Sequence, residues 1–293
     1  MSTRRDSRSN PVFSEAPKQR GAGVYVYATG SIAAGILDLI WGDFEAAHQP
    51  IQALGDHIPG REIFAYIAAI WLIAGGVAIL WRRTARAGAG ALAAIYFLFA
   101  AFWLPRCYTA PHMLGFRIPV LIGLLGGIAQ QLILVAAARI VHGSFATRDS
   151  VWLSRARLIV RCTFGLSSVA FGLGHLTGVR EVAAMVPKWM PGGGNIWAIL
   201  TGIAFVLAGV AILSGILDVL AARLLALMLF VFSVLVLAPG PLAHPHNQVA
   251  WGSNAYNLAA VGAAWIFAES MATCRREQPD EVGPEVTLIG RHS

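Results

Sequence analysis

Residues 63–81 read IFAYIAAIWLIAGGVAILW, a stretch without a single charged side chain. A helix needs about 20 mostly apolar residues to cross the hydrocarbon core of a bilayer, so this stretch is long enough to span a membrane. A transmembrane β-barrel would instead show short segments in which apolar and polar residues alternate. Because a helix satisfies its backbone hydrogen bonds internally, the stretch predicts a transmembrane helix.

Seven further stretches have the same length and apolar character. The chain has 293 residues, of which 57% are hydrophobic and only 13% charged. A soluble domain carries about 25% charged residues, so this composition excludes a soluble globular domain, and the apolar content excludes intrinsic disorder. The sequence predicts an all-α membrane protein with eight transmembrane helices. The seven further stretches are approximately Val24–Trp41, Ala87–Leu104, Ile118–Ala138, Leu158–Gly178, Ile196–Leu213, Ala222–Ala238 and Ala255–Ala272.

Lysine and arginine are distributed unevenly between the two sides that such a topology defines. The side that holds both termini would carry sixteen basic residues and the opposite side five. By the positive-inside rule, both termini are predicted to be cytoplasmic in a multi-pass protein of the cell inner membrane. The same distribution accounts for the net charge of +7 without a nucleic-acid partner, because the basic residues lie between apolar stretches and form no long cluster.

The two halves of the chain resemble each other. Residues 74–80 (AGGVAIL) match residues 207–213 (LAGVAIL). Each half would hold four helices, an even number, which predicts two parallel four-helix repeats. Shorter matches pair Ile58-Pro59-Gly60 with Met190-Pro191-Gly192, Gly42-Asp43-Phe44 with Gly174-His175-Leu176, Ala85-Arg86 with Ala222-Arg223, and Pro111-His112 with Pro245-His246. The predicted divisions are a cytoplasmic tail (1–23), a first repeat (24–140), a cytoplasmic linker (141–157), a second repeat (158–273) and a disordered cytoplasmic tail (274–293).

The second half contains three ordered motifs: Arg161-xxx-Gly165, Phe171-Gly172-Leu173-Gly174-His175-Leu176 and Met185-Val186-Pro187-Lys188-Trp189-Met190-Pro191. On these motifs, each half resembles the DoxX/DoxD-like family of four-helix membrane proteins. The first half departs from the motifs, because Thr29 stands where Arg161 would be and Asp43 where His175 would be. That family includes the membrane subunit of a thiosulfate:quinone oxidoreductase. The resemblance therefore implies a redox system with a quinone or another small hydrophobic ligand and a redox partner protein.

Ionisable side chains concentrate near the predicted outer face. Asp38 and His175 lie near the outer end of the first helix of each half, where such groups usually face the bundle interior or water. The alternative is that both side chains reach the aqueous interface. We predict an outer-facing pocket in the second half, and a related pocket in the first half. The second-half pocket comprises His175, Pro187, Trp189 and His246, and the first-half pocket comprises Asp38, Asp43 and His112.

Three functions are compatible with these features. The first is a quinone-binding or small-hydrophobic-ligand-binding subunit of a redox system, with outer histidines and aspartates handling protons. The second is a transporter or carrier of small solutes or lipids, and the third is a non-catalytic membrane scaffold. No metal site is predicted, because His244-Pro245-His246 cannot easily chelate one ion and no cysteine pair occurs. Sequence motifs for ATP hydrolysis and for serine or zinc hydrolysis are absent as well.

Overall fold

The computed structural model describes residues 21–45, 48, 59–145 and 150–277. This part of the chain is helical and contains no strand. Seven helices within it are long and apolar enough to cross a membrane. The prediction of an all-α, multi-pass membrane protein is confirmed at this level. Most of the two predicted tails and residues 146–149 of the predicted linker lie outside the described residues.

Eleven α-helices lie within the described residues. They are α1 (Ala22–Trp41), α2 (Arg61–Leu80), α3 (Ala85–Phe102), α4 (Leu104–Leu114), α5 (Ile118–Gly143), α6 (Ser150–Thr177), α7 (Val179–Met185), α8 (Gly194–Ser214), α9 (Asp218–Phe232), α10 (Pro239–Ala243) and α11 (Gln248–Glu277). A π-helical turn, Ser233–Leu237, joins α9 to α10. Helices α5 and α6 take up most of the predicted linker, and α11 extends four residues into the predicted disordered tail.

The eighth predicted span corresponds to α11, which is not among the seven candidates. Its 30 residues would extend about 45 Å, enough to cross a bilayer. It is less apolar because it packs against protein, with α1, α5 and α9 as neighbours and most of residues 255–268 buried. A helix surrounded by other helices can carry polar residues such as Asn257 that a lipid-facing helix cannot.

The long helices form a closed ring. Each one packs against the next long helix along the chain, and α11 returns to pack against α1. Helices α5 and α11 also touch each other across the ring. The buried core is built largely from alanine, glycine and a few large side chains, because small residues allow membrane helices to approach closely.

The same close helix contact occurs once in each half. A Cβ atom added to Gly35 of α1 would lie 2.6 Å from the Ala69 carbonyl oxygen of α2 and would also meet Ile73. A Cβ atom added to Gly172 of α6 would lie 2.7 Å from the Gly202 carbonyl oxygen of α8 and would also meet Val206. Both glycines are therefore required by the approach of a neighbouring backbone.

Burial repeats with the same spacing along three pairs of helices. The offset is 137 residues from α1 to α6, as from Ser31 to Ser168, and 133 residues from α2 to α8 and from α3 to α9, as from Leu72 to Phe205. The buried positions Gly23, Tyr27, Ala28, Gly30, Ser31 and Gly35 thus correspond to Val160, Phe164, Gly165, Ser167, Ser168 and Gly172. Likewise Ala85, Gly88, Ala89, Leu92, Ala93 and Tyr96 correspond to Asp218, Ala221, Ala222, Leu225, Ala226 and Leu229.

These offsets correct three pairings made from sequence matches. Asp38, and not Asp43, corresponds to His175, because the α1 to α6 offset is 137 residues. By the same offset Val24, and not Thr29, corresponds to Arg161. Ala85 corresponds to Asp218 instead of Ala222. Two short segments can be aligned with an error of about one helical turn and still look similar in sequence. The pattern of buried positions along a helix allows no such error, because a shift would align buried residues with exposed ones.

Candidate functional site

A cavity of about 420 Å³ lies among α5, α6, α8, α9 and α11. Its walls are mainly apolar and aromatic, with a few polar groups, which is typical of sites that bind small hydrophobic molecules. The apolar lining residues are Trp103, Ile133, Phe171, Val182, Met185, Val186, Phe205, Leu225, Leu229, Phe232, Val236, Leu237 and Ala260. The other lining residues are Glu45, Gln130, His175, Ser253, Tyr256 and Asn257.

His175 lies near the C-terminal end of α6, where its half-buried imidazole reaches the cavity. Its ring centroid is 5.1 Å from the ring of Phe205 and 6.2 Å from the ring of Phe232. Its Nδ1 atom lies 2.9 Å from the carbonyl oxygen of Phe171, one turn earlier in the same helix. The helix therefore holds the imidazole in a defined orientation between aromatic walls.

The π-helical turn Ser233–Leu237 forms another wall of the cavity. A π-turn disturbs the regular helical hydrogen bonds and is frequent at functional sites. Two asparagines of α11 hold this turn. Asn257 Nδ2 donates to the Leu229 carbonyl oxygen at 2.7 Å and to Ser233 Oγ at 2.6 Å. Asn254 Nδ2 donates to the carbonyl oxygen of Leu237 at 2.8 Å.

A cluster of ionisable residues, Asp38, Glu45 and His48, is buried in the first half of the protein. Asp38 Oδ1 accepts a hydrogen bond of 2.8 Å from the Glu45 backbone N–H. Asp38 Oδ2 makes no hydrogen bond within the described ranges, and it lies 3.8 Å from His48 Nδ1. His48 Nδ1 is also 3.9 Å from Glu45 Oε2. The cluster thus combines two acids with one imidazole at ion-pairing distance.

His48 lies in the connection after α1, stacked on Phe99 with a centroid distance of 4.1 Å and an interplanar angle of 13°. Burial lowers the pKa of His48, but a side-chain interaction with Asp38 and the negative charges of Glu45 and Asp38 raise it, and the net pKa is above the ordinary 6.5. The two acids therefore favour the protonated imidazole, because a positive charge between them is stabilised.

Glu45 links this cluster to the cavity, because it belongs to both. The Glu45 side chain crosses α11 at Gly252, where an added Cβ atom would collide with the Glu45 carboxylate. Gln248 Nε2 anchors the same connection by donating to the carbonyl oxygens of Asp43 and Phe44, both at 3.2 Å. A segment of the first half thereby supplies an acid to a cavity that is lined mainly by the second half.

Two buried tyrosines of the first half, Tyr27 and Tyr96, make hydrogen bonds that the corresponding residues of the second half cannot make. Tyr96 Oη donates to Ser31 Oγ at 2.9 Å, Ser31 Oγ donates to the Tyr27 carbonyl oxygen at 3.0 Å, and Tyr27 Oη donates to the Leu134 carbonyl oxygen at 3.0 Å. The residues that correspond to Tyr27 and Tyr96 are Phe164 and Leu229. The second half therefore has apolar side chains in place of this hydrogen-bonded chain, and one of them, Leu229, lines the cavity.

The seven predicted site residues occupy several different places. His175 lines the cavity, as does Val186, which precedes Pro187. Pro187 is half-buried and Trp189 is 68% exposed, and neither lines the cavity. His246 is exposed and borders a separate depression formed by Trp41, residues 243–247 and Gln248.

The three residues predicted for the first-half pocket lie in distinct surroundings. Asp38 is fully buried, so it does not reach the aqueous interface. Asp43 pairs with Arg61, with the carboxylate oxygen 2.9 Å from the guanidinium nitrogen. His112 is exposed, with its Nδ1 atom 2.6 Å from the Tyr108 carbonyl oxygen and its ring on that of Tyr108.

Sequence reasoning missed several residues that shape the site. Glu45 is not among the predicted site residues, and Asn257 lies inside the predicted span Ala255–Ala272. A polar amide inside a predicted span is itself a signal, because such a group needs a partner or a cavity. Nothing in the sequence distinguishes Phe171 and Phe205 from other apolar residues of membrane helices.

A second buried aspartate, Asp218, begins α9 at the opposite end of that helix from the cavity turn. Its carboxylate oxygens lie 3.0 Å from Arg161 Nη2 and 2.6 Å from Arg275 Nη2. It also accepts a 2.7 Å hydrogen bond from the Val219 backbone N–H. This acid is fully compensated and ties α6, α9 and α11 together, so its role is structural.

Metal ligation receives no support within the described ranges, where no group of three histidine, cysteine or acidic side chains could hold an ion. The three cysteines are free thiols. Comparison of the chain with protein-family models, curated proteins and solved structures finds no match. The site itself therefore carries the functional argument.

Proposed function

We propose that this protein binds a small hydrophobic molecule inside the membrane, as the ligand-binding subunit of a redox system whose ligand is a quinone-type ring compound. The observation that carries the proposal is the cavity between aromatic walls, with His175 on one wall and Glu45 reaching it from the first half. Apolar walls contribute binding energy through burial, while a few polar groups orient the head of the ligand.

The cavity favours this function over the two alternatives. A transporter of small polar solutes needs polar groups along its path, whereas most of the lining here is apolar. A scaffold that only recruits a partner needs no internal cavity. Lipid transport shares the apolar lining, and it would appear as movement of labelled lipid between the leaflets of vesicles that contain the purified protein.

The architecture that we propose for this function is two parallel DoxX-like four-helix repeats, with eight transmembrane helices and both termini in the cytoplasm of a bacterial-type cell membrane. The recurring burial and the matched contacts of Gly35 and Gly172 support the repeat. The length of α11 supports an eighth span. Alkaline phosphatase fused after Glu277 should be inactive, since that enzyme requires export, and strong activity would contradict the topology.

Blocking the cavity provides the test of ligand binding. Val236 and Val234 lie on the same π-helical turn, but only Val236 lines the cavity, and Val234 is half exposed. In purified protein in nanodiscs, Val236→Phe should weaken binding of a short-chain quinone at least about tenfold, because the added ring occupies the site. Val234→Phe should leave binding within about twofold. Equal affinities in the two variants would contradict the assignment of the cavity.

A further inference from the structure

His175 presents a hydrogen-bond acceptor to the cavity. A carbonyl oxygen can only accept, so the 2.9 Å contact with the Phe171 carbonyl requires the proton of the imidazole to be on Nδ1. No ion pair involves His175 in the part of the chain that the structure describes, and its neighbours are the rings of Phe205 and Phe232. An apolar environment disfavours a charged ring, so Nε2 carries a lone pair.

Asn257 presents a second acceptor. Its amide group has two N–H donors, and both are used, one on the Leu229 carbonyl oxygen and one on Ser233 Oγ. Only the amide oxygen remains to face a ligand. The π-helical turn thus fixes the orientation of this side chain, because the opposite orientation would place the amide oxygen against the Leu229 carbonyl.

Glu45 adds carboxyl oxygens that can accept a hydrogen bond. The lining also contains groups that can donate a hydrogen bond, on Gln130, Ser253, Tyr256 and the Trp103 indole, so the preference is set where the head of the ligand meets His175 and Asn257. The cavity therefore offers acceptors from α6, α11 and the connection after α1.

We propose that this cavity selects ligands whose polar head donates hydrogen bonds, a phenol or quinol hydroxyl, over the matching ether or carbonyl compound. This inference rests on the proposed function, because it names the chemical form of the ligand that the same cavity takes. A carbonyl or ether oxygen placed against His175 Nε2 or the Asn257 amide oxygen would set two acceptors against each other, which a buried site does not tolerate well.

The test compares two redox-inert probes, 4-octylphenol and its methyl ether, which differ in a single donor. Their affinities are measured by isothermal titration calorimetry with the full-length protein in nanodiscs, after correction for partitioning into protein-free nanodiscs. We expect the phenol to bind about 3–10-fold more tightly than the ether, the effect of one net hydrogen bond. In His175→Phe, which keeps an aromatic ring and removes one of the acceptors, the ratio should fall toward one.

A second variant guards against misfolding as an explanation. His175→Gln places an amide oxygen near the position of Nε2 and should restore part of the preference for the phenol. Equal binding of both probes by the unmodified protein, or tighter binding of the ether, would overturn this inference and leave the proposed function in place. Binding of neither probe nor of a quinone would overturn both.

Discussion

Asp38 and His175 lie at corresponding places in the two halves of the protein, yet their surroundings are opposite. Beside Asp38, the connection after α1 folds inward and places His48 on Phe99. Beside His175, the corresponding Phe232 faces a cavity of about 420 Å³. The same helical framework therefore supports a filled, polar site in one half and an open, aromatic site in the other.

The connection that follows the first helix of each half explains this difference. After α1, residues 42–45 and His48 turn into the bundle, where Phe44, Glu45 and His48 are buried. After α6, the chain continues into α7, which has no buried residue and contributes only Val182 and Met185 to the cavity wall. A difference in one connection thus accompanies the difference between a packed end and an end that contains a cavity.

The largest expected difference between the halves concerns Leu72 and Phe205, which correspond in sequence position. Leu72 is fully buried in packed core, so Leu72→Ala should lower the free energy of unfolding by about 2–5 kcal/mol. Phe205 is also buried, but part of its surface faces the existing cavity, so Phe205→Ala removes fewer packing contacts, should cost less than Leu72→Ala and should enlarge the site. Unfolding of the purified variants in mild detergent measures both free energies. A larger decrease for Phe205→Ala than for Leu72→Ala would contradict this difference between the halves.

A smaller, equal effect is expected at Gly35 and Gly172, where the two halves make the same contact. Valine at either position would force neighbouring backbones apart and should destabilise the protein by about 1–3 kcal/mol. Gly123→Val is the matched control, because no atom lies within 4 Å of an added Cβ atom there. Thermal unfolding monitored by circular dichroism compares the three, and clearly unequal losses at Gly35 and Gly172 would argue against equivalent halves.

The hydroxyl of Tyr96 tests the polar character of the first half. Tyr96→Phe removes the hydrogen bond to Ser31 Oγ and should cost about 1 kcal/mol of stability. Tyr25 is 52% exposed, so Tyr25→Phe should have almost no effect on the same unfolding measurement. If Tyr96→Phe were as mild as this control, the hydrogen-bonded chain would contribute little to the first half.

The smallest expected effect is the pH dependence that His48 contributes. Because the folded state raises the pKa of His48, the stabilisation is complete below the ordinary value of 6.5 and is lost as the pH rises through the folded-state value. His48→Gln should flatten this part of the stability profile, whereas His112→Gln, at an exposed position, should not. A His48→Gln profile that still fell over the same pH range would assign the titration to another group.

Part of the candidate site could be predicted from the sequence. His175 and Asp38 were selected because ionisable groups near span ends are costly, and the structure places one in the cavity and the other in the buried cluster. The expected meeting of His175 with Trp189 and His246 depended on how two outer loops close over the bundle, which no periodicity encodes. Glu45 reaches the cavity only because α11 presents Gly252 at the crossing point.

The all-helical, multi-pass architecture follows from the sequence alone, because hydrocarbon admits only chains whose backbone polar groups are internally satisfied, and this requirement is local to each apolar stretch. The positions of small residues likewise indicate where helices approach. The tertiary structure alone decided which connection folds inward, which aspartate is compensated by arginines and which is left beside an imidazole. These outcomes depend on contacts between residues far apart in the chain. If one helix were displaced by one turn relative to its neighbour, a residue that now contacts protein would face lipid instead.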